Sequence, residues 1–145
     1  MRGVLMAVLI FGLVGIEIEL FLLEHTDGAW QLVPIVLIGV ALVVIGWWLI
    51  GRHRLSLRVL QASMLALVVS GVVGTVLHYD GNAVFELEMV PGLRGWELFG
   101  KAMMGATPAL APGVMIQLGL IGWLYTFRHP ALSGSAGDSS HTSES

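Results

Sequence analysis

Apolar residues dominate this chain in long runs, broken by short polar intervals. Segments of mainly apolar residues run from about Val4 to Leu23, Leu32 to Ile50, Leu57 to Leu77 and Pro108 to Phe127. A helix needs about 20 such residues to cross the hydrocarbon core of a bilayer. Lipid offers the backbone no hydrogen-bond partners, so a spanning segment must satisfy its own, and helix is the form that does so. A transmembrane β-barrel would show alternating polar and apolar positions, and these segments lack that alternation. The pattern predicts an all-α integral membrane protein: a four-helix bundle over residues 1–130 with a long loop at 78–107. The first segment follows Arg2 and looks in part like a signal peptide. Glu17-Ile18-Glu19 stands where a small-residue cleavage site would be needed, and a retained helix is expected.

Composition supports this reading. Hydrophobic residues make up 56% of the 145 positions and charged residues 12%, against about 25% charged in a soluble domain. A soluble chain of this size could not hide so much apolar surface. Cysteine is absent, which excludes disulfides, thiolate metal sites and thiol nucleophiles. The chain has no basic patch of the kind that binds nucleic acid.

Charge distribution orients the spans. Arg2, Arg52, Arg54, Arg58 and Arg128 fall on one side and Arg94 and Lys101 on the other. By the positive-inside rule both termini and the 51–56 loop are cytoplasmic, in what is expected to be a bacterial inner membrane. Glu17, Glu19, Glu24, Asp27, Asp80, Glu86, Glu88 and Glu97 lie toward the outer side. Trp47, Trp48, Trp123 and Tyr125 would mark the inner interface, and Trp30, Tyr79 and Trp96 the outer one.

The loop at 78–107 is too long to be a mere connection. Asp80-Gly81-Asn82 reads as a turn. Phe85, Leu87 and Met89 alternate with Glu86 and Glu88, which suits a short extended segment. Pro91-Gly92 ends it, and Trp96–Met104 suits a short interfacial helix. Pro108 and Pro112 suggest a frayed entry to the fourth helix, or a broken re-entrant one. Residues 131–145 are rich in Ser and Gly and are expected to form a disordered cytoplasmic tail, in which His141 is incidental. Ser63, Ala66, Ser70, Gly71, Gly74 and Thr75 form a small-residue strip on the third helix. Such strips let membrane helices approach closely, within one bundle or between subunits.

Candidate chemistry concentrates on the outer side. Glu17 and Glu19 lie within the first span, where a carboxylate is costly and therefore a functional candidate. They point about 200° apart around the helix. One would then meet another subunit or water, or the acid would be protonated. Glu17, Glu24, His25, His78 and Asp80 form a candidate set of ligands for a transition-metal ion, because imidazole with carboxylate suits zinc, copper or iron. No recognised ligand spacing accompanies them, and a solvated acidic surface is the simpler explanation. His53 and His129 sit among arginines at the inner ends, where lipid headgroups account for them. Haem ligation would need histidines at matching depth on facing helices. Gln61 and Gln117 are membrane-buried polar positions suited to interhelical hydrogen bonding, and Gln117 lies near mid-span.

The chain carries no nucleophile elbow, P-loop or dinucleotide fingerprint. No internal repeat of the transporter type is visible. Two functions lead: a small accessory or structural subunit docking on a membrane partner or on its own copies, or a transporter or cation-handling protein with an outward-facing Glu/His site; an intramembrane enzyme comes third, because no nucleophile–base pair is visible. The second requires Glu17 to face the same cavity as His25 or His78. Scattered acids would favour the first.

Overall fold

The computed structural model describes residues 1–105 and 107–133; most of the predicted tail, 134–145, and Ala106 lie outside the described residues. The fold is helical throughout the described residues: α1 (Arg2–Leu22), α2 (Ala29–Gly51), α3 (Arg54–Met89), α4 (Gly95–Met103), α5 (Gly113–Thr126) and α6 (Pro130–Ser133). Three of these helices, α1, α2 and α3, are long and apolar enough to cross a membrane. Their outward faces carry the large apolar residues that a water-soluble protein hides, among them Phe11 at 82% exposure and Ile50 at 90%.

Helix α3 is the central post and packs on α2, α4, α5 and α6. Leu9 and Leu13 of α1, Ile38 and Ala41 of α2, Leu57, Leu60, Met64 and Leu67 of α3, and Met115 and Leu118 of α5 make one core. In lipid such packing is held by close van der Waals fit rather than by escape from water. The small residues set that fit. A side chain added at Gly71 would meet the Pro112 carbonyl at 2.9 Å, and one at Gly119 would meet the Met64 carbonyl at 2.7 Å. Gly74 faces the Pro112 ring in the same way. The α3 strip is thus occupied at Gly71 and Gly74 by α5 of the same chain. Ser63 and Thr75 turn their hydroxyls back onto the Val59 and Gly71 carbonyls.

Two expectations about the long loop are corrected. Asp80-Gly81-Asn82 is not a turn and 85–89 is not extended: α3 continues without a break to Met89. At about 1.5 Å per residue, its 36 residues reach about 54 Å, well beyond a hydrocarbon core of about 30 Å. Helix propensity there is poor, since glycine costs about 1 kcal/mol in a helix interior. Tertiary bonds to Asn82, described below, offset it. The short helix expected at Trp96–Met104 is present as α4, one residue earlier. The fourth apolar segment is helical only from Gly113, for 14 residues. Pro108–Pro112 instead forms tight turns, with Ala111 N–H bonded to the Pro108 carbonyl and Gly113 N–H to Leu110. Two prolines four apart deny the backbone the donors a regular first turn would use.

At the basic end, where Arg2, Arg52, Arg54 and Arg128 gather, the aromatic reading is also corrected. Trp48 and Tyr125 are not interface markers but core, Trp48 being 1% exposed. The Trp48 indole N–H donates to the Tyr125 hydroxyl at 2.6 Å. A polar atom on each ring is thereby satisfied in a setting without water. His129 stands edge-on to Trp48 at 5.1 Å and tilted against Tyr125 at 5.7 Å. The Arg2 guanidinium donates to the Phe127 and Arg128 carbonyls at 3.2 and 3.0 Å, joining the start of α1 to the end of α5. Ala131 and Leu132, expected in the tail, pack against the core.

Candidate functional site

At the opposite, acidic end an open cavity of about 460 Å³ lies between the α1–α2 turn and the upper part of α3. His25 lines it from the turn, Gln31 from the start of α2, and Leu77, His78, Gly81, Asn82 and Phe85 from α3. The α3 residues recur at intervals of three and four, so they form one stripe of the helix surface. Thr107 closes the far side. His25 is held there by its amide, which donates to the Leu20 carbonyl at 3.0 Å as the chain leaves α1. Glu24 takes a left-handed conformation (φ 50°) to make that exit. The Gln31 side-chain oxygen accepts from the Asp27 amide at 2.8 Å and fixes the turn.

Asn82 organises the wall. Its amide nitrogen donates to the Ala102 carbonyl at 2.8 Å and to the Thr107 carbonyl at 2.5 Å, and its oxygen accepts from the Thr107 amide at 3.3 Å. One side chain on α3 therefore ties down both α4 and the segment leading to α5. Gly105 makes the approach possible, because a side chain there would meet Asn82 Cγ at 2.5 Å. Tyr79 and Phe99, 5.8 Å apart, and Phe99 with Trp96, at 5.6 Å, continue the contact between α3 and α4. The His78 Nδ1 lies 3.2 Å from the Pro108 carbonyl. A carbonyl only accepts, so Nδ1 carries a proton, and in the neutral ring the lone pair is on Nε2.

Of the residues singled out from sequence, the fold brings His25 and His78 to one cavity. Burial, and then the proximity of His78, push the His25 imidazole below its ordinary value of 6.5, which favours its neutral form. Glu17 does not line this cavity. It sits between α1 and α2, with Oε1 3.8 Å from the place a side chain would take at Gly39. Its Oε2 is buried without a hydrogen-bond partner. Glu19 and Glu24 are exposed, as is Asp80 on the outer turn of α3. Among the described residues no three His, Asp or Glu side chains converge as a metal site. Gln61 is partly buried, whereas Gln117 is exposed in the first half of α5. Asn82, Gln31 and Thr107 were not singled out from sequence as site residues. No signal marked them: Asn82 reads locally as a turn residue, and its partners lie 20 and 25 positions away.

No known family, curated protein or solved structure matches the chain.

Proposed function

We propose that this protein is a small accessory or structural subunit of a membrane assembly, built as a four-helix bundle in a bacterial inner membrane with both termini cytoplasmic. The fourth span is α5, completed by the turns at 108–112. At about 21 Å its 14 residues alone fall short of the hydrocarbon core. The acidic end is the outer one, where α3 rises beyond the lipid and α4 lies beside it.

Gln117 carries the reading. It lies in the first half of α5 and is exposed, and its side chain makes no hydrogen bond to any described residue. An amide facing hydrocarbon is expensive, and in membranes such groups find partners across helix interfaces. Further along α5, Leu120 and Trp123 form an apolar groove with Leu65 and Val68 of α3. An exposed amide one turn before an apolar groove suits a neighbouring transmembrane helix that fills the groove and supplies a donor or acceptor to the amide. The spread of Glu17, Glu19, Glu24 and Asp80 over different surfaces agrees with this role.

Cysteine is absent from the chain, so a single Gln117→Cys variant gives crosslinks without background. Crosslinking in native membranes, with Val43→Cys on an exposed α2 face as control, tests the proposal. A discrete crosslinked species specific to Gln117→Cys is expected, either a homodimer or a complex with one membrane polypeptide. Equal, diffuse reactivity at both positions would refute it. Topology is checked in the same background: Glu97→Cys should react with an impermeant maleimide in intact cells, and His53→Cys only after permeabilisation.

A second reading, cation handling at the outer end, draws on one observation: His25 and His78 share a cavity.

A further inference from the structure

The cavity imidazole of His78 differs from that of His129 at the basic end in what its nitrogens are doing. The His129 Nδ1 is spent on the Ala131 amide at 3.2 Å. The His78 Nδ1 instead donates to the Pro108 carbonyl, which leaves Nε2 as a free lone pair on a ring of fixed orientation. Donation of one ring N–H to a backbone carbonyl is what orients and polarises histidines that ligate metals. His25 borders the same space, and burial favours its neutral form, the form that coordinates.

Part of the other polar capacity around the cavity is already engaged. The Asn82 amide is committed to Ala102 and Thr107, and the Gln31 oxygen to the Asp27 amide. The nitrogen ligands that the cavity offers are its two imidazoles. That donor type selects zinc, copper or nickel over calcium or magnesium, which take oxygen ligands.

We propose that His25 and His78 together bind one divalent transition-metal ion of the zinc–copper–nickel class in the cavity at the acidic end. No third His, Asp or Glu among the described residues joins them, so water fills the remaining positions. The volume of about 460 Å³ holds several waters at about 30 Å³ each. Two protein ligands and an open coordination sphere make a micromolar, exchangeable site, suited to an ion that comes and goes. This site is independent of the association role assigned to Gln117: either stands if the other fails.

The test uses the full chain, purified in detergent without a histidine tag, stripped with EDTA and titrated with zinc chloride by calorimetry. Copper(II) is followed in parallel by electron paramagnetic resonance. One saturable ion per chain is expected, with nitrogen hyperfine structure for copper. Affinity should rise between about pH 5.5 and about pH 7.5 as imidazole loses its proton. His25→Asn and His78→Asn should each weaken binding by about tenfold or more. Asparagine at 78 places an N–H donor where Nδ1 was, so the bond to Pro108 survives and folding is retained. An unchanged melting temperature would show this. A His53→Asn/His141→Asn double variant should bind as the parent does. The proposal is overturned if the parent shows no saturable binding, or if His25→Asn and His78→Asn bind with parental affinity. It also falls if only the double variant loses the ion.

Discussion

The two ends of this bundle solve the same problem differently. At the basic end the chain closes on itself: Trp48 and Tyr125 satisfy one another, Ser56 and Thr126 are buried with their hydroxyls on nearby carbonyls, and Arg2 caps the end of α5. At the acidic end one asparagine holds α4 and the 107–108 segment around an open cavity, and the carboxyl of Glu17 keeps a buried oxygen without a partner. A fold that spends its closest packing at one end and leaves polar capacity unspent at the other places stability at the first and binding at the second. Polar groups away from water are costly unless paired, so the unpaired ones mark where something else is expected to bind.

The largest expected effect lies at the basic end. Trp48→Ala removes a fully buried indole and orphans the Tyr125 hydroxyl, a loss of about 4 kcal/mol. Trp48→Phe keeps most of the volume and should cost about 1–2 kcal/mol, the share of the hydrogen bond and the missing ring. Both are read from thermal unfolding in detergent. Equal losses in the two would mean that the hydrogen bond, not the packing, holds this end.

Asn82→Ala should come next, at about 2–3 kcal/mol, because it leaves the Ala102 carbonyl and the Thr107 amide and carbonyl short of partners. Its signature should be local. Limited proteolysis should cut the 90–95 connection faster, zinc binding should weaken, and the Trp48 end should unfold at its parental temperature. Whole-molecule destabilisation with no local cutting would show the two ends to be one cooperative unit, and the contrast drawn above would fail.

What the sequence revealed follows the same division. The spans of α1 and α2 and most of α3 were legible because length and apolarity suffice to mark a helix that crosses lipid. The α4 helix was legible from its amphipathic spacing. The extension of α3 to Met89 was not, since Asp-Gly-Asn is a turn by local preference, and only bonds across 20 to 25 positions hold it helical. The alternation of Phe85, Leu87 and Met89 misled for a related reason: five residues are too few to separate the strand and helix periods. The sharing of one cavity by His25 and His78 agrees with both lying at the same end of their spans. Glu17 was legible as unusual, but its place against Gly39 of α2 depends on how α1 is rotated, which near-uniform apolarity around that helix does not encode.

Glu17→Gln sharpens the comparison from the acidic side. A neutral amide of the same size lowers the cost of the orphaned oxygen, so stability should rise by up to about 1 kcal/mol. A fall instead would show that the carboxyl has a partner in the membrane, and Gly39→Leu, which fills the space beside it, should then abolish the effect.

The smallest effect concerns pH, and it separates the ends by a single group at each. At the basic end, burial first, then the charges of Arg2 and Arg52, hold His129 below its ordinary value of 6.5. Trp48 and Tyr125 face its ring, and its Nδ1 must stay unprotonated to accept from Ala131. At the acidic end His25 is lowered as well, by burial and by His78. A histidine lowered on folding binds more protons when unfolded. Its contribution to stability is therefore complete above about pH 6.5 and is lost as pH falls toward the folded value. His129→Asn keeps an oxygen where Nδ1 accepts but cannot titrate, so it should remove part of the decline in stability between about pH 7 and about pH 5. The slope that remains belongs largely to the acidic end, and adding His25→Asn should flatten it further. Saturating zinc in the parent should steepen that decline, because protonation of His25 and His78 then expels an ion as well as opposing the fold. If zinc leaves the slope unchanged while His129→Asn still reduces it, the titrating group of the acidic end is not part of a metal site.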